Sequence, residues 1–400
     1  MNLIERLNLN FAKPTKSLIL LGATGSIGTT TLEYLRRIKT IKLKAISVHQ
    51  STHNLNKIIE EFQIEQVAIT DEESYEKYIK NNRNSRIKFF RGSEGLVELI
   101  KNSDADTVLT AVVGAVGIRA TIEAIKHNKK ICLANKETLI VAGDLILEHL
   151  KVSRSPIIPV DSEHNAAFQL LFNQNSQNIN KLILTASGGP LRDKSLEEIK
   201  KVTKQEVLNH PTWKMGQKIT VDSAGLINKG LEIIEAHYLF GFSYDHLEVR
   251  IHKDSYVHAL IQLKDGSYML STSPPNMIFP IAHALHFPEP LHHTLKESKE
   301  PEEWPSLKFY PVDQNKYPGF ALCLEAGKMG LSAPLILNAS NEVAVELFLQ
   351  DKIHFVDIPK IIRDALENIP LVEITNLDLL LKEDRKTREF VYDKYNRILI

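Results

Sequence analysis

The chain has 400 residues, 43% of them hydrophobic and 24% charged, with 49 basic residues against 49 acidic. That length exceeds one comfortable core and predicts two or three domains, while a net charge of zero excludes bulk electrostatic attraction to nucleic acid or to an anionic membrane. Residues Met1 to Pro14 lack the apolar core of a secretory signal, no run is apolar over about 18 residues, and Cys132 and Cys323 form no Cys-x-x-Cys pair; a soluble protein of a reducing, cytoplasmic compartment is expected.

Ser17 to Leu21 is apolar without alternation, as in a strand buried on both faces of a parallel sheet. It runs into Gly22-Ala-Thr-Gly25-Ser-Ile-Gly28 and then a helical pattern, Thr31 to Ile38. Strand, glycine turn and helix in this order make a phosphate cradle, because glycines admit a pyrophosphate close to the backbone and the helix start offers free N–H groups. The spacing is G-x-x-G-x-x-G and not G-x-G-x-x-G, so its placement carries more than the pattern does. The second strand, Leu43 to Val48, ends in His49-Gln50-Ser51, with no acid to hold a ribose 2′-hydroxyl and none to repel a 2′-phosphate; NADPH is favoured.

Further βα units are predicted at Gln66 to Thr70, Thr107 to Val112 and Ile131 to Ala134. The last delivers Asn135-Lys136-Glu137 to the carboxyl edge, where ligands of open α/β sheets bind. The strand Ile157 to Val160 ends in Asp161-Ser162-Glu163-His164-Asn165. Extended backbone points Asp161 and Glu163 to one side, and two such charges need a proton or a cation; oxygen donors suggest Mg²⁺ or Mn²⁺. A helix N-cap is the plainer alternative for the pair.

Leu182 to Thr185 is another buried strand and empties into Ala186-Ser187-Gly188-Gly189-Pro190, either a phosphate-binding turn or only a tight turn. From His210 to Glu232, His210-Pro211 and Gly216 bracket Trp213 and Met215 in a stretch of neither periodicity, the composition of a lid. A helix is expected to open near Ser223 and to carry Asn228, Lys229 and Glu232 on one face. Strands at Glu248 to Ile251 and Val257 to Leu263 follow, then a Pro-rich linker from Phe287 to Gly319. Helices at Phe320 to Met329, Ala333 to Gln350 and Ile358 to Leu366 close the chain.

A dinucleotide cradle, paired carboxylates and a cluster of hydroxyl, amide and ammonium groups imply an α/β reductase of a small phosphorylated substrate. Two rivals remain open to the residues: a metal-independent oxidoreductase of the homoserine or semialdehyde dehydrogenase kind, and a non-catalytic nucleotide sensor. The motifs resemble one known family, the 1-deoxy-D-xylulose 5-phosphate reductoisomerases. The resemblance rests on Gly22 to Gly28, Ala134 to Thr138, Pro159 to Asn165, Ser187 to Pro190, His210-Pro211 with Trp213, Met215 and Gly216, Val221 to Ala224, Asn228 to Glu232, Pro280 to His283 and Leu337 to Ala344.

The resemblance implies an N-terminal Rossmann-like NADPH domain (1–160), a central α/β catalytic and dimerisation domain (161–286), the linker 287–319 and a C-terminal helical domain (320–400). It implies NADPH with Mg²⁺, Mn²⁺ or Co²⁺, a sugar phosphate substrate and a homodimer, with neither nucleic acid nor membrane as partner. Carried over by motif, Thr24, Gly25, Ser26, Ile27, Gln50, Ser51, Asn135, Glu137, Gly216 and Met277 would contact NADPH, and Asp161, Glu163 and Glu232 would hold the metal. Lys136, Ser162, Glu163, Ser187, His210, Ser223, Asn228, Lys229 and Glu232 would meet the substrate, with Lys136, Asp161, Glu163, His210 and Glu232 catalytic. Three departures stand out. The second strand tip is His49-Gln50-Ser51 where the family often has Gly-Lys-Asn or Gly-Arg-Asn, Gly225-Leu226-Ile227 replaces Thr-Met-Met, and the segment from Asn165 to Leu182 is short. A glycine inside the helix expected there costs up to about 1 kcal/mol.

Overall fold

The computed structural model of the chain describes residues 3–82, 86–172, 174–213 and 215–396. Lys214, within the lid stretch, and Asn173, within the short segment before Leu182, lie outside the described residues. The chain divides into two compact units: Met1–Thr138 with Ile146–Asn165 and Asn276–Lys296, and Leu139–Leu145 with Ala166–Pro275 and Glu297–Ile400.

The first unit is built on seven parallel strands: β1 (Ser17–Leu21), β2 (Lys42–Val48), β3 (Gln66–Ile69), β4 (Lys88–Arg91), β5 (Thr107–Thr110), β6 (Lys130–Leu133) and β7 (Ile157–Pro159), in the order β4-β3-β2-β1-β5-β6-β7. Chain order reverses beside β1, placing the carboxyl ends of β1 and β5 at the switch point where such sheets bind ligands. β1 from Leu18 on, and all of β5, are buried on both faces, which is why those residues are apolar or threonine. Helix α1 (Ser26–Ile38) buries Gly28, Thr31, Leu32 and Leu35 at three- and four-residue steps and stops at Lys39, whose φ is 53°. Helix α2 (Glu137–Lys151) follows β6, with a non-helical residue at Ala142, and α3 (Ser162–Phe172) follows β7.

The second unit holds a mixed sheet of β8 (Ile179–Ala186), β9 (Leu247–Ile251), β10 (Val257–Leu263), β11 (Tyr268–Thr272) and β12 (Tyr310–Pro311), ordered β11-β10-β8-β9-β12. Only β8 and β9 pair in parallel. Within the stretch expected to link domains, β12 pairs with β9 and Trp304 packs on Tyr256 at 5.4 Å between ring centroids.

The helix expected to open near Ser223 is two helices. The first, α4 (Gln217–Ala224), ends at Gly225, and α5 (Ile227–Phe240) begins after Leu226, whose φ of 54° breaks the helical path. Asn228, Lys229 and Glu232 ride on α5, whereas Ser223 belongs to α4. Gly225 thus caps a helix end at φ −98° and escapes the penalty of a glycine in a helix interior. Four helices, α6 (Pro318–Met329), α7 (Ala333–Leu349), α8 (Ile358–Asn368) and α9 (Leu377–Tyr395), complete the unit. Gly230 lets α5 lie against α6, since a Cβ there would sit 2.4 Å from the Cβ of Cys323.

Candidate active site

Each unit carries its own set of candidate residues. In the first, the turn after β1 is fixed by backbone packing. The Gly22 N–H donates to Ser47 Oγ at 2.9 Å and Ala23 N–H to the Ser47 carbonyl at 2.8 Å. Gly22 has φ +87°, and a Cβ there would lie 2.5 Å from the Ala111 carbonyl; one on Gly28 would lie 2.2 Å from the Gly22 carbonyl. Gly25 is different: it is the N-cap of α1, exposed, and a Cβ there would meet nothing closer than 3.5 Å. Two glycines therefore draw the helix onto the strand and the third leaves its start open. Thr24, Gly25, Ser26 and Ile27 stand around that start, exposed or half-buried, and the cradle fits a dinucleotide pyrophosphate.

At the tip of β2, His49 Nδ1 lies 2.9 Å from Thr70 Oγ1 and Gln50 Nε2 donates to Asp71 Oδ1 at 3.4 Å. Asp71 is an acid that the sequence reading of this strand tip missed, because it arrives from the end of β3. The Ser74 hydroxyl and N–H hold its carboxyl below the usual carboxylate range. Ser51 is exposed, and Met277 is the N-cap of the Ile278–His286 helix.

At the end of β6, Asn135 and Glu137 are 1% and 6% exposed. Asn135 Nδ2 donates to the carbonyls of Val112 at 2.9 Å and Gly114 at 3.2 Å and to Glu137 Oε2 at 2.8 Å, while Thr138 donates to its Oδ1. The pair holds the loop after β5 in place beside the cradle. Lys136, between them, points elsewhere, its Nζ 3.2 Å from Asp161 Oδ2.

Asp161 does two things at once. Its Oδ1 accepts the N–H groups of Glu163 at 3.1 Å and His164 at 3.3 Å, as an N-cap does, while Oδ2 faces the Lys136 ammonium. Cap and metal-ligand readings of Asp161 are thus compatible. Ser162 Oγ donates to Glu163 Oε2 at 2.5 Å. His164, fully buried, lies 3.1 Å from Asp161 Oδ1, and Asn165 bridges the Pro159 carbonyl and His283 Nδ1. The sequence reading quoted these three residues within motifs and gave them no part; of the three, His164 stands beside an acid, Asp161.

In the second unit, β8 ends in the turn Ser187-Gly188-Gly189, with φ of +84° and +70° at the glycines. A Cβ on Gly189 would sit 2.2 Å from the Ser223 carbonyl, so the turn lies directly on the end of α4. Arg192 Nη1 donates to the carbonyls of Ser187 and Lys253, both at 2.9 Å, a clamp not foreseen from sequence. His210 Nε2 is 3.1 Å from Ser187 Oγ, and its Nδ1 accepts the N–H groups of Thr212 and Trp213. An Nδ1 that accepts leaves the proton on Nε2, so the imidazole donates to Ser187. Trp213 stands 6.5 Å from His258, ring to ring, and Gly216 caps α4.

On α5, Lys229 and Glu232 are 4% and 1% exposed and paired with each other, and Asn228 Nδ2 donates to Glu232 Oε1 at 2.5 Å. A carboxylate this buried persists only with such partners. Beneath Ser223, Asp222 lies 2.9 Å from Lys218 Nζ and accepts from Asn341 Nδ2 at 2.9 Å, tying α4 to α7.

Sequence models of 1-deoxy-D-xylulose 5-phosphate reductoisomerase and of its C-terminal domains match residues 18–143, 157–240 and 272–390. The chain belongs to this family. The Leptospira biflexa enzyme of that name is 45% identical over 378 residues, covering 94% of this chain and 97% of the other, and the Clostridium tetani enzyme is 43% identical over 386 residues, 95% and 100%. A crystal structure of the reductoisomerase with NADPH, fosmidomycin and magnesium superposes with a TM-score of 0.88 at 35% identity, over 95% of this chain and 98% of that one. The Zymomonas mobilis enzyme with NADPH gives 0.88 at 32% identity, over 96% and 100%. The chain's reaction is the NADPH- and magnesium-dependent conversion of 1-deoxy-D-xylulose 5-phosphate to 2-C-methyl-D-erythritol 4-phosphate, in isoprenoid precursor synthesis.

Proposed function

We propose that Asp161, Glu163 and Glu232 hold the magnesium ion of this reaction, a group of three carboxylates that offers only oxygen donors. When bound, the ion supplies Lewis-acid polarisation of the substrate's oxygens. The observation that carries the reading is the provision already made for each charge: Asp161 faces Lys136 and a helix start, Ser162 bonds Glu163, and Glu232 sits between Asn228 and Lys229.

The remaining roles follow from what each side chain offers. Lys136 and Ser162 face the reacting oxygens, with the ammonium opposing negative charge. Ser187, Ser223, Asn228 and Lys229 anchor the phosphate, whose binding energy orients the rest of the molecule. His210, a neutral donor through Nε2, holds Ser187, and Trp213 excludes water. Thr24, Gly25, Ser26 and Ile27 take the NADPH pyrophosphate at the start of α1, Gln50 and Ser51 stand toward the ribose, and Gly216 and Met277 line the nicotinamide end. Asn135 and Glu137 serve the cofactor by shaping the loop after β5.

The test is a titration of Mg²⁺ into the chain with substrate analogue present, followed by NADPH consumption with 1-deoxy-D-xylulose 5-phosphate. Asp161→Asn is expected to lose metal affinity by at least about 10-fold while NADPH affinity holds. Equal loss of both would remove the assignment.

A homodimer is proposed through β11. It is an edge strand, and Tyr268, Met269 and Leu270 are 54%, 38% and 40% exposed on it, an apolar row that a second copy would cover. The division at residues 1–160, 161–286, 287–319 and 320–400 is retained as the functional one. Two buried free cysteines support a reducing, cytoplasmic setting, and no helix among the described residues is long and apolar enough to cross a membrane.

A further inference from the structure

Behind the turn that joins α4 to α5, wholly within the second unit, lies a cavity of about 440 Å³. Its floor is apolar, with Ile199, Val221, Ile227, Phe355 and Pro359 among the lining side chains. Three lysines, Lys200, Lys316 and Lys360, line it as well, and among the described residues no carboxylate does. Lys200 and Lys360 reach Glu197 and Asp357 at 2.7 and 2.8 Å, whereas the Nζ of Lys316 donates to the Arg192 carbonyl at 2.7 Å and lies over the Tyr317 ring. Burial pulls the pKa of the Lys316 ammonium down and Asp193 and Asp313 act to keep it charged, while its Nζ rests on a carbonyl and not on a carboxylate, so it can still donate to an anion.

Gly225 lines the cavity and adds no side chain to it. The nearest atoms to a Cβ there would be Phe355 Cζ at 3.5 Å and Ile227 at 3.8 Å, both lining the cavity, and φ is −98°, so a side chain is allowed on the cavity wall. The volume lies in the range of small-molecule pockets, about 300 to 1,000 Å³, and an apolar floor offers water few partners.

We propose that this cavity is an accessory binding site for a small amphipathic anion, its apolar body on Val221, Ile227 and Phe355 and its anionic head at Lys316. The site shares a wall with the segment that carries Ser223 and Asn228, yet it takes its ligand independently of the metal and nucleotide. A single-chain tail of about ten carbons suits the volume.

The test is calorimetric titration of the full chain with decanoate, decyl phosphate and decyltrimethylammonium. Saturation at one anion per chain, with the ammonium amphiphile at least about tenfold weaker, is expected. The tighter of the two anions assigns the head group. Gly225→Leu should weaken the anion by about tenfold by occupying its space, and Lys316→Gln should weaken it without altering the cavity. Equal binding of the cationic amphiphile, or an affinity indifferent to both substitutions, overturns the proposal. Should Gly225→Leu fail to fold, Lys316→Gln and the charge comparison still decide.

Discussion

The Nδ1 of His210 accepts the backbone N–H of Trp213 at 2.9 Å, so the ring that holds Ser187 also sets the path of the aromatic residue beside it. Thr212 N–H reaches the same nitrogen at 3.2 Å. Protonating that nitrogen would place donors against a donor. Burial first, and the Arg192 guanidinium second, push the imidazole down from 6.5 to about 4. Its folded value is therefore depressed, and the unfolded chain takes up a proton across the window from 6.5 to about 4 while the folded chain does not. Stability from this group is present above 6.5 and is lost as pH falls through that window. His210→Asn should flatten this part of the profile, read as the urea midpoint at about pH 5 against about pH 7. An unchanged slope would place the acid sensitivity elsewhere.

Glu232→Gln leaves the Lys229 ammonium buried without its counter-charge. A loss of about 3 kcal/mol in folding stability is expected from breaking such a pair. Turnover should fall with it, while NADPH affinity, measured by nicotinamide fluorescence, stays near wild type. Stability unchanged within error would mean that Lys229 finds another partner.

Gly28→Ala should damage the cradle through packing alone, because the new carbon would lie 2.2 Å from the Gly22 carbonyl. A destabilisation of about 1 to 3 kcal/mol is expected. NADPH affinity should fall further than stability accounts for, since α1 must shift to make room. Gly25→Ala has space and supplies the control: its helix start stays seated.

Trp213→Ala removes the largest side chain of the 209–216 stretch and its contact with His258. Both kcat and KM for the sugar phosphate should worsen, by about 10-fold in kcat/KM, with NADPH binding unaffected. Identical constants would show that the tryptophan only packs.

Leu270→Glu puts a charge in the apolar row of β11. With pairing through β11 as proposed, sedimentation velocity should show wild type as a dimer and the variant as a monomer at micromolar concentration. A dimer that persists unchanged would move the interface to another face.

Much of the first unit was legible in the sequence because parallel strands buried on both faces announce themselves. β1, β3, β6 and β7 fall on short apolar runs, while β5 is bounded by threonines and β2 carries Lys42 and Lys44 near its start. The missed strands are edge strands. β4 reads Lys-Phe-Phe-Arg with one of four residues buried, β11 exposes most of its length, and β12 is two residues ending in proline. In the site, motif spacing found the residue types, but Asp71 and Arg192 lie outside every quoted motif, and Asp222 and Asn341, though inside two of them, meet across 119 residues, a pairing no local pattern marks. The break between α4 and α5 was invisible for a different reason: leucine is a strong helix former, and only the tertiary setting forces Leu226 to a positive φ.

That one leucine makes an articulated joint of what would otherwise be a rigid rod. Gly216 begins α4 and Leu226 ends the turn after it, so the short helix is bounded on both sides by non-helical backbone, while α5 packs on α6 through Gly230 and Cys323. A displacement before Gly216 need not be handed on to α5, which carries Glu232. Substitutions that straighten residue 226 should therefore couple two motions that the native chain keeps apart.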